Sequence, residues 1–229
     1  MGRGLSTLAR NTVIGFVQLL AILGVAIFVP AGTLDFWQGW VFSCVFGACT
    51  VLTTVYLWKN DPKLLASRIR AGPGAEKNPR QNLIQALGAL AFIALLVVPA
   101  LDHRFAWSSV PLAVVIAGNL FVGLGFLIIL AVFRENPFTA AIIDVATDQT
   151  VVSTGPYAIV RHPMYGGALV MLLGTPLALG SWWGVLLLVP MTLVIVWRLL
   201  DEEQFLAKNL PGYARYREMV RYRLVPLMW

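Results

Sequence analysis

The chain has 229 residues, 59% of them hydrophobic and only 12% charged. Soluble domains carry about 25% charged residues, so too few charges are present to cover a water-facing surface, and the composition points to an integral membrane protein. The net charge of +6 does not indicate nucleic-acid binding, because the cations sit at predicted helix ends and form no separate basic arm.

A helix crosses the bilayer core with about 20 apolar residues. Six segments are candidates, predicting an all-α integral membrane protein of about five to six transmembrane helices. The first, Thr12–Ala31, follows the short basic stretch MGRGLSTLAR. It is too long for a signal-peptide core and shows no small-residue cleavage site, so it reads as a retained span. The second, Gly39–Trp58, contains Cys44 and Cys49. Their spacing fits no metal or redox motif, and they read as small residues of a membrane helix. No metal site is predicted.

The following loop, Lys59–Gln81, reads as a short helix over Pro62–Arg70 and then a flexible turn at Gly72-Pro73-Gly74 and Asn78-Pro79. Its cations read as topology charges, with attraction of anionic membrane lipids as the alternative. The third and fourth spans are Leu83–Ala100 and Val110–Phe133. The fifth, Gly167–Gly180, is short and reads as a tilted or partial span. It forms a tight hairpin through Ser181–Trp182 with the sixth, Trp183–Leu199. Trp37, Trp40, Trp58, Trp107, Trp182 and Trp183 fall near span ends, as an aromatic belt does.

With the N-terminus in the cytoplasm, all 17 Lys and Arg except Arg104 fall on the inner side. This predicts an even number of crossings with both termini cytoplasmic, as expected of a prokaryotic cytoplasmic membrane. The count is unchanged if the last hairpin does not cross. The organisation is one compact unit, with N-terminal transmembrane helices over 1–132 and a C-terminal module over 133–229.

Three segments on the inner side hold more polar chemistry than topology needs. The first is Phe133–Thr154, with Arg134, Glu135, Asn136 and Pro137. The second is TGPYAIVRHPMYGG, Thr154–Gly167. There Gly155-Pro156 makes a turn, and Pro163 suits the first turn of a helix, where its missing N–H costs nothing. Gly166 and Gly167 allow a backbone or a ligand to approach closely. The plain reading of this stretch is a membrane-surface cap with Arg161 snorkelling. The third is the tail from Arg198, beginning RLLDEEQF. Asp201-Glu202-Glu203 oppose the inner-face charge bias and, at the end of the sixth span, an unfavourable helix dipole. Acids placed there suggest a cation or ligand hydroxyls to face, and a solvated helix extension is the alternative.

GPYAIVRHPMYGG together with WRLLDEEQF and the closing YARYREMVRYRLVPLMW resembles the isoprenylcysteine carboxyl methyltransferase family and, more loosely, the membrane phospholipid N-methyltransferases. The resemblance runs from about Arg134 to Trp229 and implies an S-adenosylmethionine pocket at the cytoplasmic membrane face. It places Tyr157, Arg161, His162, Pro163 and Tyr165 around the cofactor, with Gly155 and Gly167 shaping the site. Glu202 and Glu203 are implied as an acidic pair for cofactor binding, and Arg198 as an arginine near cofactor and acceptor. Asn136 is a weaker match. The resemblance thus implies Arg198, Glu202 and His162 as catalytic candidates.

The residue types suit methyl transfer, in which the protein mainly orients donor and acceptor and tunes charge. An ionised carboxylate acceptor, such as a prenylcysteine, requires no general base. An amine or hydroxyl requires one, and His162 or a glutamate is then the candidate. The sequence leaves these open, and the expected acceptor is a lipophilic molecule from the bilayer. The rival reading is an NADPH-dependent reductase, since sterol reductases share an R-H-P-x-Y-x-G-like element and a tail similar to Tyr222–Pro226. A third reading is a non-enzymatic scaffold whose basic inner face binds lipid.

Overall fold

The computed structural model describes residues 2–69, 74, 76, 78–145 and 148–229, with side chains from residue 6 onward. Every regular element among them is helical. Five helices are long and apolar enough to cross a membrane. They lie within α1 (Gly2–Ala31), α2 (Trp37–Asn60), α4 (Pro79–Phe105), α5 (Leu112–Glu135) and the run formed by α7 (Trp183–Leu186) with α8 (Leu188–Asn209). The short α3 (Pro62–Ile69) matches the predicted loop helix, while Arg70 and the Gly72-Pro73 turn lie outside the described residues. Asn78-Pro79 is a helix start and no part of a flexible turn. The Asn78 side chain accepts from the Arg80 N–H, and Pro79 occupies the first helical position of α4.

The fifth predicted span is α6 (Pro163–Ala178), which starts at the Pro163 expected in its first turn, ahead of the apolar run from Gly167, and is only 16 residues long. At 1.5 Å per residue it measures about 24 Å, short of the roughly 30 Å bilayer core. Its stability comes from α5. A Cβ added at Gly125 would lie 2.6 Å from the Gly167 carbonyl oxygen, and one at Gly174 would lie 2.5 Å from that of Gly118. The two backbones therefore touch along antiparallel glycine rows, the close approach by which helices associate in lipid. Around this pair the core gathers Leu23, Ile27, Phe36 and Phe42 of the first helices with Leu96, Val122 and Leu179.

At the end of the bundle away from most cations, a buried Asp102 ties the loops together. It accepts from the Ser108 N–H at 2.7 Å, from the Ser108 hydroxyl, and from the Ser181 hydroxyl at 2.5 Å. Ser181 in turn accepts from the Gly184 N–H. Trp37, Trp40, Trp107, Trp182 and Trp183 stand exposed at this same end, as a belt requires.

The acidic run is placed differently from the expectation. α8 continues to Asn209, so Asp201, Glu202 and Glu203 lie inside the helix and not at its end. The dipole at a helix terminus fades within the last turn, so it has little hold on them. Arg198, one helical turn before Glu202, reaches across to Glu76.

Candidate functional site

The C-terminal end of α5 and the start of α6 are joined by largely irregular chain that packs beside the C-terminal half of α8. Gly155 opens a 3-10 turn, Gly155–Ala158, with φ of +56°. A Cβ there would meet the Glu135 carboxyl carbon at 2.9 Å, a side-chain end that can move, so it is the left-handed backbone that favours glycine. Thr154 donates its hydroxyl to the same carboxylate. The chain then passes Arg161 and His162 and enters α6 at Pro163.

Arg161 and His162 are held by the tail. The Arg161 N–H donates to the Tyr222 carbonyl at 2.9 Å, and the His162 N–H to that of Arg223 at 2.9 Å. The side chains meet a carboxylate with 3% residue exposure: Glu203 accepts from Arg161 Nε at 2.6 Å, from Arg223 Nε at 3.0 Å, and stands 3.3 Å from His162 Nε2. Arg161 Nη1 adds bonds to the carbonyls of Val220 and Arg221. Arg223 also lies over the Trp229 ring, 5.0 Å from its centroid. Glu203, Arg161 and Arg223 thus form an ion network that bolts the tail to α8 and to the start of α6. This gives Arg223 its role and makes Arg221 a contributor through its backbone.

Glu202 turns the other way. It accepts from the Tyr165 hydroxyl at 2.6 Å. Both residues line two adjoining cavities. The first, of about 90 Å³, is walled by Asn136, Tyr157, Arg161, His162, Pro163, Tyr213 and Tyr216 and covered by parts of 138–152. Burial raises the pKa of Tyr157, Tyr213 and Tyr216, so their hydroxyls remain protonated at any ordinary pH. Tyr216 donates to the Tyr157 carbonyl at 2.8 Å, whereas the buried Tyr213 hydroxyl has no hydrogen-bond partner among the described residues. The second cavity, of about 240 Å³, is lined by Arg68, Gln85, Met164 and Arg198 together with parts of 140–143.

Arg198 is heavily engaged. Its Nη2 donates to Glu76 and to the Ala141 carbonyl, each at 2.9 Å, and its Nη1 to Gln81 at 2.9 Å. Glu76 also accepts from the Ile143 N–H and from Gln85. The predicted residues Asn136, Tyr157, Arg161, His162, Pro163, Tyr165 and Glu202 therefore gather around the first cavity, and Arg198 borders the second. Three of the predicted cofactor residues do not line the first cavity, namely Gly155, Gly167 and Glu203. Gly167 packs against α5, where a Cβ would lie 2.9 Å from Ile128 Cγ2, and Gly155 shapes the turn behind Tyr157. Glu203 is separated from Glu202 by the helix itself, because successive residues of a helix point about 100° apart.

Sequence reasoning missed Glu76, Arg68, Tyr213 and Tyr216. The one signal for Glu76 was an acid placed among loop cations, and for the tyrosines the three-residue spacing in YARY. A comparison with protein families matches residues 113–211 to the phospholipid methyltransferase family, within the isoprenylcysteine carboxyl methyltransferase-like group of membrane methyltransferases. No curated protein matches the chain.

Proposed function

We propose that this membrane methyltransferase takes S-adenosylmethionine in the first cavity and a lipophilic acceptor from the bilayer in the second. The observation that carries the reading is the shared wall: Tyr165 and Glu202, hydrogen-bonded to each other, line both cavities. When bound, the cofactor supplies a methyl group on a positively charged sulfur.

The residues present fit such a group. The unpartnered Tyr213 hydroxyl is a buried polar atom that a ligand would satisfy. Glu202 and the rings of Tyr157, Tyr213 and Tyr216 suit the positive side of the ligand. Arg161 faces the same cavity, but its Nε and Nη1 already serve the tail network. The room of about 90 Å³ is below the roughly 300 Å³ at which small-molecule pockets begin. A bound cofactor would draw room from the adjoining cavity or from an outward shift of the covering residues, such as Phe138 and Gln149.

Tyr157, Tyr213 and Glu202 would hold S-adenosylmethionine so that its methyl group passes to an acceptor lone pair at the shared wall, leaving S-adenosylhomocysteine. The chain's contribution is to align the two partners and to hold charge. For an ionised carboxylate nothing further is needed. For an amine or hydroxyl a proton must leave, and Glu202 is the carboxylate at the shared wall. The site lies at the cation-rich end of the bundle, which the positive-inside rule assigns to the cytoplasm together with both termini.

Calorimetry on the chain in detergent, with S-adenosylhomocysteine and with NADPH, tests the reading. S-adenosylhomocysteine is expected to bind. Glu202→Gln is expected to weaken it about 10- to 100-fold, the loss of one charged hydrogen bond. Binding of NADPH alone would overturn the proposal in favour of a reductase.

A further inference from the structure

One guanidinium in the second cavity has a charge that no carboxylate answers. Arg161 and Arg223 share Glu203, and Arg198 faces Glu76. Arg68, from α3, has no carboxylate within ion-pairing distance among the described residues. Its Nη1 lies 3.3 Å from the carbonyl oxygens of both Thr139 and Ala140 and 3.7 Å from the Met164 sulfur. Its Cζ lies 5.2 Å from the Phe133 ring centroid. These neighbours are dipoles and a ring, and none carries a full negative charge. The site is also an unfavourable one for a cation, since desolvation and then the Arg198 charge lower the Arg68 pKa, against the opposing effect of Tyr165.

The position is specific. Arg68 comes from a helix more than 70 residues away in sequence from the carbonyls it meets. It lines the same cavity as Tyr165, Glu202 and Arg198. Arg198 is less free to receive an incoming anion, because Glu76 already answers its charge and Glu76, Gln81 and the Ala141 carbonyl take three of its five N–H groups. A guanidinium is a planar fork suited to carboxylate and phosphate oxygens.

We propose that Arg68 receives an anionic group of the acceptor, so that the acceptor is an amphiphile bearing a carboxylate or a phosphate ester within reach of the second cavity. This rests on the assignment of the second cavity to the acceptor. A carboxylate held by Arg68 would be the methylated group or lie next to it. A phosphate would anchor a lipid head group whose reacting atom lies nearer Tyr165. A residue serving only to fasten the 139–140 carbonyls would give no preference for anions.

The test titrates dodecyl phosphate, dodecanoate and dodecanol into the full chain in a maltoside detergent, with S-adenosylhomocysteine saturating. At least one of the two anions is expected to bind tenfold or more tightly than dodecanol. Arg68→Gln is expected to remove that preference for anions over dodecanol in the cofactor-saturated chain, and Arg68→Lys to restore part of it. Preference for the phosphate points to a phospholipid-like acceptor, and preference for the carboxylate to a carboxylate acceptor. Anions binding no better than dodecanol to the wild-type chain would overturn the proposal, as would Arg68→Gln binding them like wild type. If Arg68→Gln does not fold, the wild-type comparison and Arg68→Lys decide. Failure of S-adenosylhomocysteine to bind is a separate result, which counts against the cofactor reading and leaves the anion preference to be measured without it.

Discussion

Glu203→Ala is expected to destabilise the protein by about 3–5 kcal/mol, the cost of breaking a buried ion pair by deleting one partner. The side chains of Arg161 and Glu203 are 5% and 4% exposed, so removing the carboxylate strands a buried guanidinium with only two carbonyls to satisfy it. The Tyr222 and Arg223 carbonyls would still accept from the Arg161 and His162 amides. Those bonds alone do not hold a charged side chain in an apolar setting. The variant should melt well below wild type in detergent, and trypsin should cut at Arg221 or Arg223 under conditions where the wild-type tail is protected. Equal melting with an equally protected tail would mean that the ion network does not fasten the tail. Glu203→Gln, of nearly the same shape, should fall between the two because it keeps an acceptor and loses the charge.

Gly125→Leu is expected to cost at least about 3 kcal/mol, the upper end for overpacking. The atoms a Cβ would strike are the Gly167 carbonyl oxygen at 2.6 Å and the Met171 N at 2.7 Å. Both are backbone, so no rotamer change relieves the clash. The damage should extend to the site, since α6 carries Pro163 and Tyr165 in its first turn. The control lies on the same helix: Gly123 has nothing within 4 Å of an added Cβ, and Gly123→Leu should be tolerated. Melting temperature and S-adenosylhomocysteine affinity of the two variants provide the comparison. If Gly125→Leu melts with Gly123→Leu, the glycine contact between α5 and α6 is not what holds α6 in place.

Hydropathy is a local property, and for that reason the long spans could be read from the sequence. Apolar runs of sufficient length must be covered by lipid wherever they sit in the fold. The ends of the elements were less legible. α8, read as ending near Leu199, runs on to Asn209, whereas Pro163 did mark the start of α6, a short helix sustained by its glycine contact with α5. The gathering of Tyr157, His162, Tyr165 and Glu202 around one cavity was expected from the family resemblance of two segments. What stayed hidden was which acid faces which neighbour. Glu202 and Glu203 look alike as letters, yet one helical step sends the first to Tyr165 and the second to the tail arginines. The Glu76–Arg198 pair joins residues 122 apart, and no local pattern announces such a contact.

The fastenings around the first cavity come largely from beyond residues 113–211, the stretch that matches the methyltransferase family. Arg68 and Glu76 hold the covering segment from the N-terminal side, and Arg223 closes on Glu203 from the C-terminal side. A chimera that transplanted only the matched stretch into foreign helices would carry the Tyr165–Glu202 wall without the clamps that position it. The workable unit for grafting or truncation therefore begins before α3 and ends after Arg223, so the early helices are part of the catalytic scaffold as well as its anchor.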